Sequence, residues 1–349
     1  MTASTITAST LNGFFIYLGL AAVLAALNVD GARAGDKSYE TMGELVRLDP
    51  RFDELVSPTA KIEKLASGFA WSEGPVWIAD GGYMLFSDIP NNRVMCWCQA
   101  DGLSEFLKPA GYTGEKGRGG EPGSNGLLVD SEGRLVLCEH GDRRIGRINK
   151  DGEHVTLADR YNGKRFNSPN DGVFHSSGAL YFTDPPYGLE GGVDDPAKEL
   201  TFQGVYRLDP DGTVTLLTDE MSRPNGIAFS PDEKTLYVAN SDGERAVWMA
   251  FDVEDDGSIA NGRVFYDATE QMGKLPGAPD GLKVDVNGNL FATGPGGVYV
   301  FTPKGELLGR ISTGERTANC GWGEDGTVLY MTADSHFCRI KTNTKGKGF

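Results

Sequence analysis

One short phrase recurs six times along this chain of 349 residues, and it constrains the fold more than any other feature. Each copy opens on an oxygen-bearing side chain beside or one place from a glycine. It runs on through a short apolar stretch, a polar turn and a second apolar stretch. The openings are Glu73-Gly74, Asn125-Gly126, Asn170-Asp171-Gly172, Asn225-Gly226, Asp280-Gly281 and Asn319-Cys320-Gly321. The anchoring glycines are 52, 46, 54, 55 and 40 residues apart, the length of one propeller blade. Each copy supplies two strands. Further strand-like runs lie between copies, at 93–97, 146–148, 204–208, 246–251, 297–301 and 338–340, several followed by a turn and a fourth strand. Four strands in each of six modules predict an all-β chain, a six-bladed β-propeller with four-stranded blades around a central channel. A β-sandwich also has many short strands, but it does not repeat one phrase six times. Glycine, at 48 residues, is about twice as frequent as usual, as many tight turns require.

Residues outside the repeat divide the rest. Residues 14–27 are an unbroken apolar run, followed by Ala32-Arg33-Ala34. The run is short for a membrane span and is followed by a small-residue cleavage pattern. This predicts a signal peptide over 1–34, no membrane attachment after cleavage, and a periplasmic or secreted protein, although residues 1–13 carry no Lys or Arg. Residues 35–60 read as an arm with short helical turns at 41–48 and 51–56, and 61–349 as the propeller. Long loops at 109–123 and 187–201 are expected to be either functional or mobile.

Composition excludes several partners. A formal net charge of -16 is the wrong sign for a nucleic acid. Four His and five Cys without ligand spacing exclude a zinc site of the Cys/His type. Cys96 and Cys98 share one face of a strand, whereas Cys320 and Cys338 lie in one repeat and could pair. No G-x-S-x-G elbow, P-loop or dinucleotide fingerprint is present.

The first strand of each blade lines the channel, so equivalent positions approach the axis together. The anchor row is Glu73, Asn125, Asn170, Asn225, Asp280 and Asn319, all oxygen donors. Asn-Gly and Asp-Gly also serve simply as turn dipeptides, and for one copy that reading is sufficient. Six copies in register point instead to a hard-cation site. Two carboxylates with several amide oxygens suit one divalent ion, Ca²⁺ first, with Mg²⁺, Mn²⁺ or Zn²⁺ as competitors.

The phrases Trp71-Ser72-Glu73-Gly74-Pro75-Val76-Trp77, Glu121-Pro122-Gly123-Ser124-Asn125-Gly126-Leu127, Asn167-Ser168-Pro169-Asn170-Asp171-Gly172, Arg223-Pro224-Asn225-Gly226-Ile227 and Ala278-Pro279-Asp280-Gly281-Leu282 resemble the gluconolactonase branch of the senescence marker protein (regucalcin) and gluconolactonase family. So does Cys138-Glu139-His140-Gly141-Asp142-Arg143-Arg144. The resemblance runs from about Leu45 to the end of the chain. It implies a metal held by Glu73, Asn225 and Asp280, with Asn170 touching metal or substrate. Asn125 and Asn319 match the repeat rather than the family's ligands. Asn125, His140, Glu121 and Arg144 are candidate substrate contacts.

A cation of this kind acts as a Lewis acid on a lactone carbonyl. Asp280 is the candidate general base, the alternative being a cation-activated water that Asp280 only orients. The expected activity is metal-dependent hydrolysis of a small sugar lactone such as glucono-1,5-lactone. Alternatives are an esterase or phosphotriesterase on another small substrate, and a non-enzymatic calcium- or sugar-binding propeller. Asp88, Asp184, Asp242 and Asp334, which follow strands at similar blade positions, are expected to tie neighbouring blades together.

Overall fold

A computed structural model describes residues 38–349. The expected signal peptide lies outside the described residues. Among those described, no helix is long and apolar enough to cross a membrane. Six antiparallel sheets follow one another in chain order, each a blade. Blade 1 comprises Ser72–Ile78, Tyr83–Asp88, Arg93–Cys98 and Gly102–Leu107. Blade 2 comprises Ser124–Val129, Leu135–Glu139, Arg144–Ile148 and His154–Ala158, and blade 3 Gly172–Phe174, Leu180–Asp184, Gly204–Leu208 and Val214–Thr218. Blade 4 comprises Pro224–Phe229, Thr235–Asp242, Arg245–Val253 and Ile259–Asp267. Blade 5 has Leu282–Val284, Leu290–Gly294, Gly297–Phe301 and Leu307–Ser312. Blade 6 takes Thr317–Gly323, Val328–Ala333 and His336–Lys341 from the C-terminal end, and its fourth strand, Ile62–Ser67, from the N-terminal end. Pairing of His336 with Ser67 thus closes the ring between distant parts of the chain.

The sheets are buried on both faces, so successive residues of one strand serve two interfaces. Tyr181 of blade 3 packs towards Phe229 of blade 4, while its neighbour Phe182 packs towards Val136 and Cys138 of blade 2. An apolar cluster fills each of the six interfaces between blades. The ring-closing one stacks Phe86 on Phe337 at 4.2 Å between centroids.

The repeated glycine has a steric reason. A Cβ on Gly74 would lie 2.1 Å from the carbonyl oxygen of Asn125 in the next blade, and one on Gly226 would lie 2.2 Å from that of Asp280. First strands meet backbone to backbone at the axis, where a side chain does not fit.

Three expectations need correction. The arm at 41–48 is not helical: Glu40–Met42 pairs with Ile62–Ser67, and Glu44–Arg47 pairs with Leu307–Ser312, giving blades 6 and 5 a fifth strand each. Only Phe52–Leu55 forms a helical turn there. Cys320 and Cys338 do not pair; all five cysteines are free thiols. Both face Met331 from opposite sides, so they lie about 10 Å apart, two strand spacings, beyond disulfide reach. The strand-end carboxylates fasten their own blade. Asp88 accepts from the amide N–H of Ala70, and Asp184 from those of Asn167 and Ser168, each in the segment leading into that blade's first strand. The residue before makes the link between blades: Ser87, Thr183 and Ser241 donate to the carbonyl oxygens of Asn125, Asn225 and Pro279.

Candidate active site

The glycine contacts bring the anchor residues around one end of the channel. Glu73, Asn125, Asn170, Asn225 and Asp280 line a single cavity of about 250 Å³, together with Trp71, Glu121, Tyr187, Ser241 and Arg316. The anchors lie deep. Glu73 and Asn170 are 1% exposed, and Asp280 is half-buried on the cavity wall.

Their oxygens carry the chemical information. Oδ1 of Asn125, Asn170, Asn225 and Asp280 is buried without a hydrogen-bond partner. Buried oxygen acceptors are normally satisfied, so four converging orphans mark a place built for a donor or cation. Two of the amide nitrogens have partners of their own. Asn225 Nδ2 donates to Ser241 Oγ at 2.9 Å, and Asn170 Nδ2 lies 3.5 Å from His140 Nε2. Glu73 accepts from the N–H of Gly74 at 2.8 Å. Two carboxylates and three amide oxygens form an all-oxygen donor set that fits a hard divalent cation. No group of three or more His, Cys, Asp or Glu side chains with metal-site geometry occurs among the described residues. The set is therefore distinguished by its amides.

Charge repulsion supports the same fit. Burial, and then the charges of Glu73 and Asp171, hold the Asp280 carboxyl well above its usual range. Glu73 is raised as well, by burial first and by Asp171. A cation among them would reverse the shift.

Asn319 does not line the cavity. Its Oδ1 accepts from the N–H of Cys320 and its Nδ2 donates to Asp171 at 3.4 Å, next to Glu73. Asp171 itself escaped the sequence reading, although it stands next to an anchor. Burial raises its pKa, with Lys283 opposing. Arg144 is directed elsewhere: it pairs with buried Glu139 at 2.7 Å and reaches Thr156, within blade 2. His140 is fully buried behind the wall, 3.2 Å from Glu121 Oε2. Trp71, Tyr187, Ser241 and Arg316 were not read from sequence. Only Ser241 carried a signal there, as a hydroxyl near the end of a second strand, where Ser87, Thr183, Thr293 and Thr332 stand in four other blades. Arg316 lies over the Trp71 ring at 5.3 Å, and Tyr187 hydrogen-bonds Ser241 and Arg223.

Known proteins share this architecture. A gluconolactonase of Zymomonas mobilis is 39% identical over 341 residues, covering 95% of this chain and 96% of its own. A solved gluconolactonase of Xanthomonas campestris is 32% identical at a TM-score of 0.75, covering 88% of this chain and 99% of that one. A calcium-binding regucalcin of Agrobacterium tumefaciens, 20% identical with a TM-score of 0.63, covers 89% and 96% and shares the fold. The profile of the SMP-30/Gluconolactonase/LRE-like region matches residues 71–335. These likenesses extend over the blades that build the cavity, and they make the chain a lactone hydrolase belonging to the SMP-30/gluconolactonase/LRE-like family.

Proposed function

We propose that the substrate is a small monocyclic sugar lactone, of which glucono-1,5-lactone is the type, opened to its acid with the help of one divalent cation. The carrying observation is the set of four buried, unpartnered oxygens converging with Glu73 on one cavity. Glu73, Asn170, Asn225 and Asp280 would hold the ion, Ca²⁺ first because flexible all-oxygen ligation suits it best. When bound, the cation supplies Lewis-acid polarisation of the lactone carbonyl and stabilises charge on that oxygen.

The remaining wall reads as a sugar site. A cavity of about 250 Å³ is at the small end of ligand pockets and suits one ring. Glu121, Asn125 and Tyr187 offer it hydroxyl partners, and Trp71 an aromatic face. The sequence of residues 1–34 supports export, so the reaction is placed in the periplasm or outside the cell.

The test is proton release from glucono-1,5-lactone by metal-stripped protein, then with Ca²⁺ restored, beside Asp280→Asn. Cation-dependent hydrolysis that the variant lacks is the expected result. No acceleration over spontaneous opening with any divalent ion would remove this substrate and bring aryl esters and phosphotriesters forward.

A further inference from the structure

An amide side chain has two unlike ends, and only its oxygen can serve a cation. Asn225 must therefore be turned one way for the donor set to exist. Its backbone is held independently of that choice. Thr183 donates to the Asn225 carbonyl at 2.7 Å, and the next residue, Gly226, packs where a Cβ would lie 2.2 Å from the carbonyl oxygen of Asp280. What the backbone leaves open is the half-turn of the amide that exchanges Oδ1 and Nδ2.

We infer that Ser241 is a positioning residue that decides this half-turn, and that it acts on the cation through Asn225. This rests on the cation site proposed above. The direction of the hydrogen bonds carries the assignment. A carbonyl oxygen only accepts, so the single hydroxyl hydrogen of Ser241 is committed to Pro279. What Oγ then offers is lone pairs, and only a donor can face them. Asn225 meets them with Nδ2 at 2.9 Å, and its Oδ1, which has no partner, is left to the cavity. With the amide turned round, Oδ1 would stand against Oγ with no hydrogen between them, and two N–H groups would point into the donor set. The Tyr187 phenol at the same hydroxyl brings a hydrogen of its own and leaves the direction unchanged.

Comparison of the blades isolates this role. The same hydroxyl position is held by Ser87, Thr183, Thr293 and Thr332. Each donates to backbone beside an anchor. Ser87 reaches the carbonyl of Asn125 at 2.8 Å, Thr293 that of Ala318 at 2.8 Å and Thr332 that of Asn319 at 3.2 Å, as Thr183 reaches that of Asn225. Among the described residues none of these four accepts from an anchor amide. The Asn170 and Asn319 amides go to His140 and Asp171 instead. Ser241 makes the backbone bond that the row shares, adds the bond from the Asn225 side chain, and is the member of the row that lines the cavity.

The experiment is calorimetric Ca²⁺ titration of wild type, Ser241→Ala, Ser241→Thr, Ser87→Ala and Asn225→Asp, with Ser241→Ala repeated on the Asn225→Asp background. Ser241→Ala is expected to lose about 10–100-fold in affinity. Ser241→Thr keeps the hydroxyl, in the form that blades 3, 5 and 6 already hold, and is expected to stay within about threefold of wild type. Ser87→Ala removes a blade-to-blade bond of the same kind, and is expected to lower the Tm without moving the affinity. In Asn225→Asp both ends of the side chain are oxygens, so the half-turn no longer matters, and Ser241→Ala should cost less than about threefold on that background. The full loss persisting there would make Ser241 a ligand or a support of Asp280, and would overturn the assignment. So would an unchanged affinity in Ser241→Ala alone, or equal losses in Ser241→Ala and Ser87→Ala. Wild type that binds no divalent cation strikes the cation site itself, and this assignment with it.

Discussion

Removing one channel carboxylate should stabilise the metal-free protein. Glu73, Asp171 and Asp280 are drawn together by the meeting of first strands, and burial raises all three. A raised carboxyl holds, in the folded state, a proton that the unfolded chain has already lost. Stability therefore falls as pH rises from the ordinary carboxylate range towards the folded value. Each pH unit crossed by one such group below its folded value costs about 1.4 kcal/mol. Asp280→Asn removes that contribution. In chelator at pH 7 its Tm should exceed that of wild type, by about 3 °C for each pH unit so crossed at about 2 °C per kcal/mol for a body of this size. The gap should narrow on acidification to pH 5. With Ca²⁺ at about 1,000 times its Kd the order should reverse, because wild type gains about 4 kcal/mol and the variant gains none. Differential scanning calorimetry in chelator and in Ca²⁺, at both pH values, reads all four states. An Asp280→Asn protein that melts below wild type in chelator at both pH values would refute the repulsion argument.

Two further outcomes test the surroundings of the site and the ring closure. Ser241→Ala leaves the Asn225 amide without its 2.9 Å acceptor, and Ca²⁺ affinity measured by calorimetry should fall about 10–100-fold. Phe86→Ala opens the aromatic stack where blade 1 meets blade 6, and should cost about 3–5 kcal/mol in urea unfolding with the Ca²⁺ affinity unchanged.

The blades were legible because each repeats one local phrase: a glycine where backbones meet, then two apolar strands about a polar turn. The arm was not, because its fate is decided by distant partners. Residues 41–48 contain Glu, Leu and Val in an order that suits a helical turn, but the outer edges of blades 5 and 6 present unpaired backbone groups. Gly43, at φ 65°, breaks the segment so that Glu40–Met42 covers one edge and Glu44–Arg47 the other. The cysteine expectation failed on register: sharing a repeat says nothing about Met331 standing between Cys320 and Cys338.

The site divides along the same line. The anchor row was legible because periodicity reports which positions share the axis, and five of the six line one cavity. Periodicity is blind to whatever a single blade adds. Glu121, Tyr187 and Arg316 come from segments between the repeated strands, where each blade has its own sequence, and their convergence exists only once the ring is closed. Arg144 shows the converse. It lies in the same family-like phrase as His140, but it starts a strand whose partner is Glu139, and the buried carboxylate claims it. The chemistry that six copies share, oxygen ligation, is thus written in the repeat. What distinguishes one wall residue from another, the aromatic face of Trp71, the Tyr187 phenol or the Arg316 guanidinium, is written only in the segments between the copies.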